Sequence, residues 1–249
     1  MIVQIYEIQK PEEAEKCIEL GVDHIGSVLL SSTAWRVPSI KEVMSLSCGT
    51  DKKNTLIPLF QDKDTLYRSI DYYRPQYIHL CENLADPAGN KIDLGRFVLF
   101  QTELKEKFPE VGIIRSIPIP RENAEVSFSP LLIAHAFEPV TDIFLTDTWL
   151  GNEPVKGYIG ITGRIIDLEI AREVVLQSSI PFIMAGGLSP ENVFDALIKV
   201  PAQGADSCTL TNCLNRRGET IRFQKDFQRV KKFTEEVRRY EEFSGLTQK

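Results

Sequence analysis

The stretch Ile2–Leu30, IVQIYEIQKPEEAEKCIELGVDHIGSVLL, decides the fold. It opens with Ile2 to Tyr6, an apolar run of strand length. The KPEEAEKCIELG that follows places Ala14, Cys17, Ile18 and Leu20 at helical spacing, and Gly21 supplies a C-terminal stop. His24 to Leu30 then returns to strand-like sequence. Strand, helix and strand in so short a stretch make a β/α unit, and repeated units of this kind build parallel sheets.

The alternation continues outward along the chain. A helix is expected from about Pro38 to Ser47, a third strand over Thr55–Phe60 with its helix at Lys63–Tyr73, and a fourth strand over Gln76–Cys81. The turn-rich ADPAGNK leads into a helical segment within Ile92–Phe108. Strand five is read at Val111–Ile117 with a short helix at Leu131–Phe137, and strand six at Asp142–Leu145. A glycine-bearing loop runs from there to Arg164, and a helix follows over Asp167–Leu176. Strand seven is Phe182–Met184, after which Ser189 is expected to cap a helix with Pro190 in its first turn. Strand eight is read at Ala205–Leu210, and Phe223–Tyr240 as an amphipathic closing helix. Eight units favour an α/β protein closed as a (β/α)8 TIM barrel over an open doubly wound sheet. The first turn reads YEIQKP rather than GxGxxG, which argues against a dinucleotide site. All 249 residues are expected to form one such domain.

Composition narrows the partners. Net charge is −6 with Lys and Arg scattered among acids, so no basic face for nucleic acid is read. Neither a membrane span nor a secretory leader is legible in the sequence, and a cytoplasmic protein is expected. Cys17, Cys48, Cys81, Cys208 and Cys213 are odd in number without CxxC spacing, and His24, His79 and His135 form no ligand pair. No metal and no cofactor are expected.

Barrel chemistry sits at the C-terminal ends of the strands, with phosphate commonly near the loops after strands seven and eight. Strand seven leads into Ala185-Gly186-Gly187-Leu188-Ser189-Pro190-Glu191-Asn192, where paired glycines let backbone approach an anion; the alternative is a tight turn with no ligand. After strand six, Gly160-Ile161-Thr162-Gly163-Arg164 is either a lid over substrate or a permissive exposed connection. Asp147, in IFLTDT at the end of strand six, is either a proton donor or acceptor at the barrel mouth or a turn aspartate. His79 and Cys81 share one face of strand four and are read as core or satisfied polar groups.

The ordered series FLTDT, GITGRIIDL, MAGGLSPENV, GADS and KDFQRVKKF resembles that of the phosphoribosylanthranilate isomerases across the C-terminal half, and KPEEAEKCIELGVDHIGSVL, IPLFQ and YIHLCE resemble that family more loosely. The resemblance implies a (β/α)8 barrel that performs an Amadori rearrangement in tryptophan biosynthesis. In that reaction an acid helps open the ribose ring and a base removes the C2 proton. By resemblance Asp147 is the acid. The family's base, a cysteine in a KICG segment ending strand one, is absent: this chain reads Gln4-Ile5-Tyr6-Glu7.

Alternation points Tyr6 to the mouth and Glu7 away, unless the strand has ended and the chain turns Glu7 inward. Tyr6 is a poor base at its ordinary pKa of about 10, and Glu7 the better one chemically. Arg36 in STAWRVPS stands within one residue of a substrate-contacting arginine of the family; it is either a carboxylate grip or a surface arginine beside Trp35. The resemblance further implies substrate contacts from Gly160, Thr162 and Gly163 and phosphate contacts from Gly186, Gly187 and Thr209. Leu210 stands where the family has a glycine. A small phosphorylated substrate and a possible homodimer are expected. The competing readings are a diverged phosphosugar barrel with another reaction, and a non-catalytic binding or assembly protein.

Overall fold

In this computed structural model, which describes residues 1–247, the short apolar runs become strands and the amphipathic segments become helices that cover them. The strands are β1 (Ile2–Ile5), β2 (His24–Leu29), β3 (Lys53–Pro58), β4 (Tyr77–Leu80), β5 (Gly112–Ile119), β6 (Ile143–Thr148), β7 (Phe182–Met184) and β8 (Gly204–Ser207). They pair in chain order into a closed parallel barrel. Closure is made by β1, whose Gln4 is in register with His24 on one side and with Asp206 on the other.

The helices are α1 (Pro11–Glu19), α2 (Pro38–Leu46), α3 (Lys63–Tyr73), α4 (Gly95–Lys107), α5 (Pro130–Phe137), α6 (Leu168–Gln177), α7 (Val193–Lys199) and α8 (Phe227–Thr247). Proline opens α1, α2 and α5, where a missing amide hydrogen costs nothing. Asp62 caps α3 and Asp167 caps α6, each accepting from backbone amides of the first turn.

Apolar burial forms two layers. The larger lies between sheet and helices and includes Ile5, Leu29, Leu56, Phe144 and Phe182. The smaller fills the barrel interior with Tyr6, Ile114, Ile143, Leu145, Ile183 and Ala185. Each large side chain so buried contributes ~1.5–3 kcal/mol of transfer free energy. No helix among the described residues is long and apolar enough to cross a membrane.

Several boundaries differ from expectation. β1 stops at Ile5, so Tyr6 and Glu7 follow the strand, and Glu7 takes a left-handed φ of 64°. β6 runs on to Thr148 and contains Asp147. Ser189 does not cap α7, which starts at Val193; instead the Ser189 amide donates to Asn192 Oδ1 at 2.8 Å within a preceding turn. β8 ends at Ser207, and residues 209–211 form a 3-10 turn.

The largest correction lies at Phe223. The expected closing helix does not begin there, because Thr220–Lys225 is a strand, β10, paired antiparallel with β9 (Asn212–Leu214). TIRFQK places Ile221 and Phe223 two residues apart, and the Asn215–Gly218 turn, with Gly218 at φ 79°, folds it back. The helical period starts at Phe227.

Candidate active site

The mouth of the barrel holds two adjoining cavities. The first has apolar walls that include Val28, Ile57 and Ile159. The second is bounded by Gly163, Gly186, Gly187 and Thr209. Asp147, Ile161, Asp206 and Cys208 border both. The loops after β6, β7 and β8 therefore meet over two carboxyl groups.

Asp147 points inward from the end of β6. One oxygen accepts from the Thr148 amide at 2.8 Å. A Cβ on Gly160 would overlap the carboxylate, and Gly160 has φ 92°, so the loop lies against Asp147 only because that residue is glycine. Burial, assisted by the charge of Glu153, pushes the Asp147 carboxyl up to about 7.

The paired glycines after β7 serve a similar end. Both have positive φ, and a Cβ on Gly187 would overlap the Arg164 carbonyl of the preceding loop. Thr148 Oγ1 fastens that loop by donating to Arg164 O at 2.6 Å. Thr162 and Gly163 come down beside Thr209 and Leu210, and the Leu210 side chain packs toward Gly163. Lys225 braces the turn beneath, its ammonium donating to Cys208 O at 2.7 Å and Asn212 Oδ1 at 2.6 Å.

Tyr6 reaches the interior, as alternation anticipates. Its ring occupies the space a Cβ on Gly26 would need. Its hydroxyl lies 2.6 Å from His79 Nδ1, and His79 Nε2 lies 2.7 Å from Ser116 Oγ. Burial, with the Arg115 charge, pushes His79 down to about 3, so the imidazole is neutral; one consistent tautomer accepts from Tyr6 and donates to Ser116. Burial, then the Asp206 charge, raises the Tyr6 phenol well above its ordinary value. These are properties of a satisfied core network and not of a base.

Glu7 is turned inward by its left-handed backbone and buried, but both oxygens are taken. Arg222 Nε donates to Oε1 at 2.6 Å, while Asn212 Nδ2 and the Phe223 amide donate to Oε2 at 2.8 and 3.2 Å. Burial works to raise this carboxyl, yet the hydrogen bonds from Asn212 and Arg222 outweigh it and hold the pKa below the ordinary value. Glu7 is thus an anchor for the β9–β10 hairpin. Arg36 is exposed and stacked 4.9 Å above Trp35 and 5.6 Å from the Tyr72 ring, outside the lining of both cavities.

The sequence reading passed over Asp206 and Arg222 as site residues, whereas His79, read as core or a satisfied polar group, has both ring nitrogens engaged. Asp206 carried a usable signal, an acid near the C-terminal end of an apolar strand, which is the argument that singled out Asp147. It is buried, accepts from Gln4 Nε2 at 3.2 Å, and is pushed up to about 8 by burial and then by the Asp147 charge. Arg222 carried none, because it stood in an unassigned stretch just before the expected closing helix. Among the described residues no group of three or more His, Cys, Asp or Glu is arranged to hold a metal.

A closed (β/α)8 barrel with two carboxyl groups beneath glycine-bearing loops is the class of protein defined here. No family model matches the chain. The N-(5′-phosphoribosyl)anthranilate isomerase of Methanosarcina acetivorans is 29% identical over 132 residues, 52% of each chain, and that of Methanothrix thermoacetophila is 24% identical over 231 residues, 92% of this chain and 97% of the other. The matched stretch thus spans about half the length of the first of these relatives.

Solved structures with this fold include a phosphoribosyl anthranilate isomerase in complex with reduced 1-(o-carboxyphenylamino)-1-deoxyribulose 5-phosphate, at TM-score 0.67 and 15% identity over 96% of this chain and 99% of that one. They also include monomers generated from the dimeric phosphoribosylanthranilate isomerase of Thermotoga maritima, at TM-score 0.67 and 15% identity over the same shares of the two chains. Along 92% of its length the chain is similar to a phosphoribosylanthranilate isomerase, and it shares the fold of the solved ones.

Proposed function

We propose that this chain isomerises N-(5′-phosphoribosyl)anthranilate to the corresponding 1-amino-1-deoxyketose phosphate, a step of tryptophan biosynthesis, in the cytoplasm and as a homodimer. The observation that carries the reading is that Asp147 borders both cavities at once. A phosphate in the glycine-lined cavity and an aryl ring in the apolar one would leave the ribosyl C1 and C2 beside the carboxyls. Asp147, held largely protonated up to about pH 7, suits the proton donor that opens the ring. Gly163, Gly186, Gly187 and Thr209 supply backbone and hydroxyl to the phosphate. The reading calls for no metal or cofactor, because the rearrangement only moves protons.

The test is turnover of phosphoribosylanthranilate by purified protein, followed as loss of anthranilate-type fluorescence, with Asp147→Asn alongside. Turnover by wild type that falls at least 10²-fold in the variant supports the reading. Absence of turnover in folded wild type rejects it. Dimerisation is checked by sedimentation equilibrium.

One observation favours a second reading, a ligand-binding homologue without catalysis: the position of the family's cysteine is filled by a phenol locked to His79. That reading expects a thermal shift with inorganic phosphate and no turnover.

A further inference from the structure

We propose that Asp206 is the proton acceptor of the isomerisation, working across the barrel mouth from Asp147 as donor. The inference rests on the isomerase reading above.

Most of the oxygen, nitrogen and sulfur atoms facing the cavity are already committed to partners or held protonated. Both oxygens of Glu7 are occupied by donors from the hairpin. The Tyr6 hydroxyl and both nitrogens of His79 are engaged with one another and with Ser116. Burial raises the thiols of Cys81 and Cys208 above their ordinary values, so neither supplies a thiolate. Asp206 differs. Gln4 holds its Oδ1, whereas no protein group among the described residues donates to Oδ2, which is not a sealed orphan. A buried carboxyl with one oxygen tethered by Gln4 and the other free is oriented toward the cavity, ready to accept a proton whenever it is the ionised member of the pair.

Position supports the assignment. Asp206 stands on β8 and Asp147 on β6, with only β7 between, and both border both cavities. Strand spacing puts their backbones roughly 10 Å apart across the mouth. The charged groups facing Asp206 are Asp147 from β6 and the Lys225 ammonium from β10; Gln4 from β1 and Cys208 after β8 are neutral neighbours. The Asp147 charge disfavours ionisation of Asp206, so the values near 7 and 8 belong to the pair, and its singly ionised state with the proton on Asp147 holds one donor and one acceptor.

The cycle balances. Asp147 gives its proton to the ring oxygen as the C1–O bond breaks and the nitrogen lone pair forms the C1–N double bond. The Asp206 carboxylate takes the C2 proton; the C–H electrons form the C1–C2 double bond and the C–N π pair returns to nitrogen. The enolamine then yields its hydroxyl proton to Asp147 while Asp206 returns its proton to C1. A C2 ketone results, and both carboxyls regain their starting states.

The experiment measures turnover of phosphoribosylanthranilate, and of substrate deuterated at C2, by wild type, Asp206→Asn and Asp206→Glu. The expected result is a kcat at least 10²-fold lower in Asp206→Asn with KM within about threefold and an unchanged phosphate-induced thermal shift. Asp206→Glu should recover part of the rate and show a larger deuterium effect than wild type. An Asp206→Asn kcat within tenfold of active wild type overturns the assignment and leaves the isomerase reading standing. Failure of wild type itself to turn over substrate overturns the isomerase reading, and the assignment with it.

Discussion

Arg222 Nε donates to Glu7 Oε1 at 2.6 Å, joining a residue just past β1 to the β9–β10 hairpin. The ion pair closes the hairpin over the barrel mouth. Arg222→Ala would strip Glu7 of one of its three donors, and because the guanidinium is about a third exposed the cost sits low in the charge-assisted range, about 1–2 kcal/mol. Urea unfolding of wild type and variant measures it. The sign with pH follows from a depressed pKa: stabilisation by ionised Glu7 is complete above its unfolded value of about 4.3 and is lost as pH falls through the lower folded value. Wild type should lose its advantage over Glu7→Gln only in acid.

Asp147 and Asp206 carry the opposite sign. Their folded values, about 7 and about 8, stand above the unfolded value of about 3.9, so between them the folded state binds more protons than the unfolded. Stability therefore falls as pH rises from about 4 to 8. Asp147→Asn and Asp206→Asn should each raise Tm at pH 8 by more than at pH 5, read by scanning calorimetry. A variant that stabilises equally at both values would show that its carboxyl is not held protonated.

Tyr6→Phe separates wall from base. The substitution leaves the ring against Gly26 and removes the partner of His79 Nδ1, which costs about 1–3 kcal/mol. Turnover should fall less than tenfold. A fall beyond 10²-fold with KM unchanged would return the base to Tyr6.

Gly160→Ala tests how Asp147 is held. The new methyl would meet the carboxylate at a left-handed φ, so a loss of about 1–3 kcal/mol is expected together with a displaced Asp147 and a lower kcat. Gly157, which has open space around its Cβ position and a similar φ, is the control: Gly157→Ala should cost stability by strain alone and leave kcat near wild type.

Legibility in the sequence followed distance along the chain. The β/α alternation, the proline and aspartate helix starts at Pro11, Pro38 and Asp167, and Asp147 with the glycines at 160, 163, 186 and 187 are local patterns, and the structure keeps each in place. Phe223 misled because amphipathicity over a few residues fits strand and helix alike, and the choice was made by hydrogen bonds to β9. Arg36 misled because its resemblance spoke of a site while its nearest partners, Trp35 and Tyr72, are an aromatic surface.

By itself the sequence determined the closed barrel, since eight apolar strands with amphipathic returns have few other ways to bury their surface. Tertiary structure alone decided which groups face each other in the mouth. Gln4 meets Asp206, 202 residues away, only because β8 closes onto β1, and Glu7 is fixed in an unfavourable backbone conformation by donors more than 200 residues on. Periodicity is a property of neighbours in the chain, whereas the free oxygen of one buried carboxylate and the filled valences of another depend on barrel closure and on a hairpin laid across it.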